Sequence, residues 1–143
     1  MTVDSNSPTA VPAARAAAPE GDAGPASAPV ITVIEPEAFA PVGRLGEWLF
    51  AEGVTLRMVR PWSGDAIPDF SEIGSGLVVL GGAMSAHDDA DHPWLADLRG
   101  LLRRIVDERV PAVAICLGAQ VAAEALGGDT ACPSPHGPEG GVV

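Results

Sequence analysis

Lysine is absent from this sequence: all eight basic residues are arginine, set against nineteen Asp and Glu, for a formal net charge of −11. Such a balance builds no basic stripe, which counts against nucleic acid or an anionic membrane surface as a direct partner. Cysteine is scarce too, with Cys116 in an apolar segment and Cys132 in a Pro-rich loop. That pair is no disulfide framework of a secreted scaffold, so a reducing cytoplasm is the expected location. Long apolar runs are also missing; none approaches the roughly 20 residues that cross a bilayer. The first 29 residues lack the basic start and leucine-type core of a signal peptide, and the Arg-rich, acid-poor bias of a transit peptide. Their Ala/Pro mixture predicts a disordered tail over 1–29, ahead of one domain over 30–143.

From Val30 the pattern turns to short apolar runs alternating with amphipathic segments. VITVI (30–34) is a β-branched run ended by Glu35-Pro36, which predicts a buried strand. Leu45, Trp48 and Leu49 recur at helical spacing up to Gly53, and VTLRMV (54–59) alternates like a strand with one wetter face. The stretch from Arg60 to Gly76 reads as loop, and LVVL (77–80) as a second buried strand running into Gly81-Gly82. Pro93 suits the first position of the next helix, with Asp91 ahead of it as a capping acid. In that helix Leu95, Leu98, Leu102, Ile105 and Val106 form the apolar face, and Pro111 ends it. AVAIC (112–116) is a further buried-strand candidate, and a helix of small residues from Gly118 to Leu126 is closed by Gly127-Gly128.

Strands alternating with helices, each strand apolar on both faces, predict an α/β fold: an open, mostly parallel sheet with helices on both sides. Ligands of such sheets bind at the carboxyl ends of strands. Gly81-Gly82 and Cys116 both fall there. A cysteine at a tight strand-to-helix turn has small neighbours that keep its sulfur exposed, while the following helix aims its positive dipole end at it. That field favours the thiolate, the form that attacks carbonyls. The opposing reading is an ordinary buried core cysteine. For Gly81-Gly82 it is a plain tight turn.

AICLGAQ, from Ala114 to Gln120, resembles the nucleophile elbow of class I (triad) glutamine amidotransferases. LVVLGGAMSAHDD followed by Pro93-Trp94-Leu95 is similar to the matching segment of their GMP-synthase-like branch, and the likeness spans Val30 to Val143. It implies a flavodoxin-like fold in which Cys116 attacks the carboxamide carbon of glutamine, giving a glutamyl thioester and ammonia. It further implies that the Leu117 and Gly82 amides form the oxyanion hole, and that Gln120 and Gly81 help to bind the substrate. Neither metal nor cofactor is implied. Two positions depart from the family pattern: Ala114 stands where glycine is frequent, and Ala83 where proline is.

The family's triad is completed by a His and a Glu two residues apart, well downstream of the cysteine. This sequence stops at Val143, so the resemblance implies the N-terminal part of the domain, without that pair and inactive in glutamine hydrolysis by itself. His136 and Glu139 imitate the spacing loosely but match a turn rather than the His-x-Glu segment. His87 and His92, among Asp88, Asp89 and Asp91, lie in an acidic segment expected to stay solvated rather than bind metal, with His92 helping to start the helix at Pro93. Trp48, Trp62 and Trp94 read as packing residues and Cys132 as an uninvolved loop thiol. A sheet cut after four strands should expose an edge that a complementary chain or synthetase partner would cover. Two rival readings remain: a non-catalytic interaction module that keeps the elbow as a relic, and a small hydrolase of the related elbow superfamily whose base comes from a dimer partner. Gln120 counts against the latter. The ammonia acceptor is not legible, and no ATP-pyrophosphatase loop points to GMP synthesis itself.

Overall fold

A computed structural model describes residues 27–131, so residues 1–26 of the tail expected over 1–29, together with Cys132, His136 and Glu139, lie outside the described residues. The element order is β1 (Val30–Ile34), α1 (Gly43–Ala51), β2 (Thr55–Val59), β3 (Gly76–Val79), α2 (Trp94–Asp107), β4 (Ala112–Ala114) and α3 (Leu117–Ala125). Two single 3-10 turns, Pro61–Ser63 and Phe70–Glu72, break the long loop between β2 and β3.

The four strands form one parallel sheet in the order β2-β1-β3-β4, with Ile34 opposite both Val59 and Val79, and Val79 opposite Ala114. Strand side chains alternate between faces, and the two faces carry separate cores. Ile34, Leu77 and Val79 pack with α2 and α3; Val33 and Val78 pack against Val42 and Leu45 of the α1 side. The expected open α/β architecture with helices on both sides is therefore present. α2 contributes most: Leu95, Leu98, Leu101, Leu102 and Ile105 are buried, each stabilising the fold by about 1.5–3 kcal/mol. In β1, the buried Thr32 hydroxyl donates to the Ile73 carbonyl at 2.8 Å, so its polar atom is satisfied inside the core.

Several local expectations need correction. AVAIC is not a buried strand: it stops at Ala114, lies at the sheet edge and leaves Val113 51% exposed, because apolar composition reports affinity for a core and not a place in the strand order. Val106 is 51% exposed and Leu101 takes its place in the core. Trp48 and Trp62 are 63% and 49% exposed, so of the three tryptophans only Trp94 packs against the core, half-buried. Pro93 is the residue before α2 rather than its first, and no side chain caps it, Asp91 included.

Candidate functional site

The carboxyl ends of β1, β3 and β4 lie side by side, and the loops leaving them build the site. Cys116 follows β4 and precedes the first residue of α3 with φ 54 and ψ −114, a conformation that side chains rarely take. The bend is held by the chain around it: the Ile115 N–H donates to the Val79 carbonyl at 2.9 Å, the Gly118 N–H to the Ile115 carbonyl at 2.9 Å, and the Gln120 N–H to the Cys116 carbonyl at 3.1 Å. Such a turn turns the side chain outward, and Cys116 is exposed rather than a core cysteine.

Gly81 lies against it: a Cβ at Gly81 would stand 3.3 Å from Cys116 Cβ and 3.7 Å from Sγ. Gly82 has no room for a side chain, since a Cβ there would meet Met84 Sδ at 2.5 Å, Leu117 at the start of α3 at 3.1 Å and Pro36 at 3.3 Å. Two clefts border Cys116. One, of about 590 Å³, is bordered by Gly82, Cys116 and Gln120 together with Ser85, Asp88 and Thr130. The other, of about 450 Å³, is more apolar and runs from Gly81, Gly82 and Cys116 past Glu37 to Phe39, Leu45 and Ile115. Of the residues singled out in the sequence, Gly82, Cys116 and Gln120 share the first cleft; Gly81 touches the cysteine but faces the second. Leu117 is buried beneath Gly82.

The loop after Gly82 is anchored from within, by Asp88 and Asp89, and from outside the motif, by Glu37 and Arg99. The Ala83 N–H donates to Glu37 Oε2 at 2.8 Å, the Ser85 N–H to Asp88 Oδ2 at 2.7 Å, and Arg99 donates to the Ala86 carbonyl at 3.0 Å while pairing with Asp89. Glu37 and Ala83 are 46 residues apart, so spacing could not have linked them.

The acidic loop is not simply solvated either. His87 Nε2–H donates to the Thr130 carbonyl at 2.8 Å and stands 3.4 Å from Glu124 Oε1. The Thr130 bond raises the His87 pKa, with the Glu124 and Asp129 carboxylates adding to it against a partial opposing effect of burial. Glu124 is lowered, chiefly by the Thr130 hydroxyl donating to it at 2.6 Å. Ligand atoms of His87, Glu124 and Asp129 fall within 4.8 Å of one another, the one such grouping among the described residues. Both the His87 nitrogen and the Glu124 oxygen already have Thr130 as partner, so this cluster reads as a clasp between the loop and the segment after α3. His92 sits edge-on to Trp94 with ring centroids 5.8 Å apart, and its carbonyl accepts from the Leu95 N–H at the start of α2.

Residues 50–142 match the family model for glutamine amidotransferase class-I. The glutamine amidotransferase-like protein YfeJ of Salmonella typhimurium is 32% identical over 103 residues, covering 70% of this chain and 43% of that protein. Among solved structures, a glutamine amido transferase from Methylobacillus flagellatus superposes with a TM-score of 0.65 at 35% identity, over 71% of this chain and 40% of that one. A glutamine amidotransferase from Thermotoga maritima, 24% identical, shares the fold with a TM-score of 0.63 over 68% of this chain and 43% of that one. The chain thus spans less than half the length of each of these relatives.

Proposed function

The chain belongs to the class-I glutamine amidotransferase family, and on that premise we propose that Cys116 is the nucleophile for the carboxamide carbon of glutamine. The observation that supports this is a conjunction at one strand end: an exposed cysteine at φ 54 heading α3, Gly81 against its side chain, and Gly82 and Gln120 in its cleft. The thiolate adds to the carbonyl carbon, the C–N bond breaks with loss of ammonia, and water hydrolyses the glutamyl thioester that remains. The Gly82 and Leu117 N–H groups receive the charge developing on the carbonyl oxygen. Leu117 is the first residue of α3, where an N–H has no intrahelical acceptor. Gln120 lies one turn further along the helix and helps to hold the substrate.

The cycle also needs a group that takes the thiol proton and returns it to the leaving nitrogen. Among the described residues no histidine borders the Cys116 cleft. The His/Glu pair that the resemblance implies is therefore assigned to chain outside the described residues or to a second polypeptide. The sequence of the Leu77–Asp89 segment favours the GMP-synthase-like branch of the family.

A glutamine-shaped chloroketone tests the reading. Expected is labelling mapped to Cys116, slowed by free glutamine and absent in Cys116→Ser. Labelling that is indifferent to glutamine and no faster than that of a free cysteine would favour a non-catalytic interaction module.

A further inference from the structure

Glu37 lies outside the motifs that mark Cys116 and Gly82, yet its carboxylate spans the loops leaving two neighbouring strands. β1 and β3 pair with Ile34 opposite Val79, so Glu37 and Ala83 emerge next to each other at the carboxyl end of the sheet. Glu37 Oε2 accepts the Ala83 N–H at 2.8 Å, the first amide beyond Gly82. Gly81 and Gly82 are consecutive glycines, the residue type that restrains its own backbone least. A donor that stabilises a transition state must nevertheless be held within about 0.5 Å of its working place. Met84, Leu117 and Pro36 all crowd the place where a Gly82 side chain would begin. The link from Gly82 to Ala83 is a planar peptide, so a bond that holds the Ala83 N–H also orients the Gly82 carbonyl and restrains one of its two torsions.

We propose that Glu37 is a positioning residue for the oxyanion hole: through the Ala83 N–H its carboxylate holds Gly82 so that the Gly82 N–H meets the oxygen of the acyl group. The inference rests on the reading of Gly82 as an oxyanion donor. Glu37 borders the second cleft and not the one shared by Cys116 and Gln120 with Gly82 and Ser85. Its bond to the Ala83 N–H gives it a route to Gly82 through the backbone. An ionised acceptor gives the stronger hydrogen bond to the amide, and a glutamine side chain would still offer an oxygen at the same length.

Two reactions of Cys116 separate positioning from folding and from thiol reactivity. Acylation by γ-glutamyl p-nitrophenyl ester forms an S–C bond, passes through a tetrahedral oxyanion and expels p-nitrophenolate with the C–O bond electrons; it is followed by p-nitrophenolate colour. Alkylation by iodoacetamide forms an S–C bond and expels iodide, with no oxyanion. With the full 143-residue chain, the acylation-to-alkylation ratio is expected to exceed that of a cysteine peptide. Glu37→Ala should lower the ratio about ten- to a hundredfold with alkylation unchanged, since a displaced donor loses up to what a deleted one does. Glu37→Gln should recover most of it. If the wild-type ratio matches the peptide, the reading of Gly82 falls and the inference with it. If the wild-type ratio is high and Glu37→Ala keeps it, the inference alone is overturned. A parallel loss of both reactions in Glu37→Ala, or a Glu37→Gln variant as impaired as Glu37→Ala, also overturns it, the first by showing a role in the fold and the second by showing that the acceptor oxygen is not what matters.

Discussion

Gly118 lies directly on the Val79 carbonyl: a Cβ added to it would stand 2.6 Å from that oxygen and 3.0 Å from the Val79 side chain. Only a residue without a side chain lets α3 begin this close to β3, and that closeness presents Cys116 at the sheet end. Gly118→Ala is expected to push the helix away at a cost of about 1–3 kcal/mol. It should appear as a lower urea midpoint with an unchanged slope, together with slower chloroketone labelling of Cys116. An unaltered midpoint would show that the helix yields without strain.

The backbone of Cys116 predicts a conflict between stability and chemistry. At φ 54 and ψ −114 a side chain is strained and glycine is not. Cys116→Gly should therefore raise stability by about 1 kcal/mol while removing the nucleophile. Cys116→Ala should not gain, because it keeps a Cβ. Equal midpoints for the two variants would mean that the turn carries no strain.

The His87–Glu124–Thr130 clasp predicts a pH window. His87 is raised, so its contribution is complete below the ordinary histidine value, about 6.5, and is lost as pH climbs through its elevated folded value. Glu124 is lowered, so its contribution is complete above the ordinary glutamate value, about 4.3, and is lost as pH falls through its depressed folded value. Both act together between those ordinary values. His87→Gln should thus narrow its stability deficit as pH is raised from about 5 to 9, and a deficit constant over that range would remove titration of His87 from the account. The effect should be small, because the pair is exposed to solvent screening.

Edge position predicts association. Among the described residues β4 is three residues long, lies at the end of the strand order and exposes Val113. Unpaired strand edges with apolar side chains template further pairing. Val113→Lys is expected to reduce concentration-dependent light scattering of the 143-residue chain with little change in its urea midpoint. Scattering that persists unchanged would place the sticky surface elsewhere.

The lining of the Cys116 cleft predicts silence in one assay. With no histidine bordering the Cys116 cleft among the described residues, the 143-residue polypeptide should release no ammonia from glutamine above the Cys116→Ser background. Release that depends on Cys116 would show that a base is already within reach of the sulfur.

Much of the fold was legible because periodicity is local. The runs VITVI, VTLRMV and LVVL fall on β1, β2 and β3 to within a residue, and Gly53 and Gly127 end helices at φ 78 and 85 as their lack of a side chain allows. Cys116 and Gly81-Gly82 stood out for an equally local reason, each following an apolar strand and preceding a turn. Glu37 gave no such sign, since its importance lies in an amide far along the chain. Nor could the His87 segment reveal its partners: proximity in sequence suggested Asp88, Asp89 and Asp91, whereas the chain folds back to supply Glu124 and Thr130.

The alternation of strands and helices, the net acidic charge and the small residues on which the Cys116 turn depends could all be read along the chain, because each follows from a residue's own size, charge or torsional freedom. The rest came from the folded chain: that β4 ends the strand order of the described residues, that Pro36 and Leu117 crowd Gly82, and that two clefts border Cys116. Those depend on the order in which parallel strands pair, which brings distant strand ends together and which no local pattern of residues encodes.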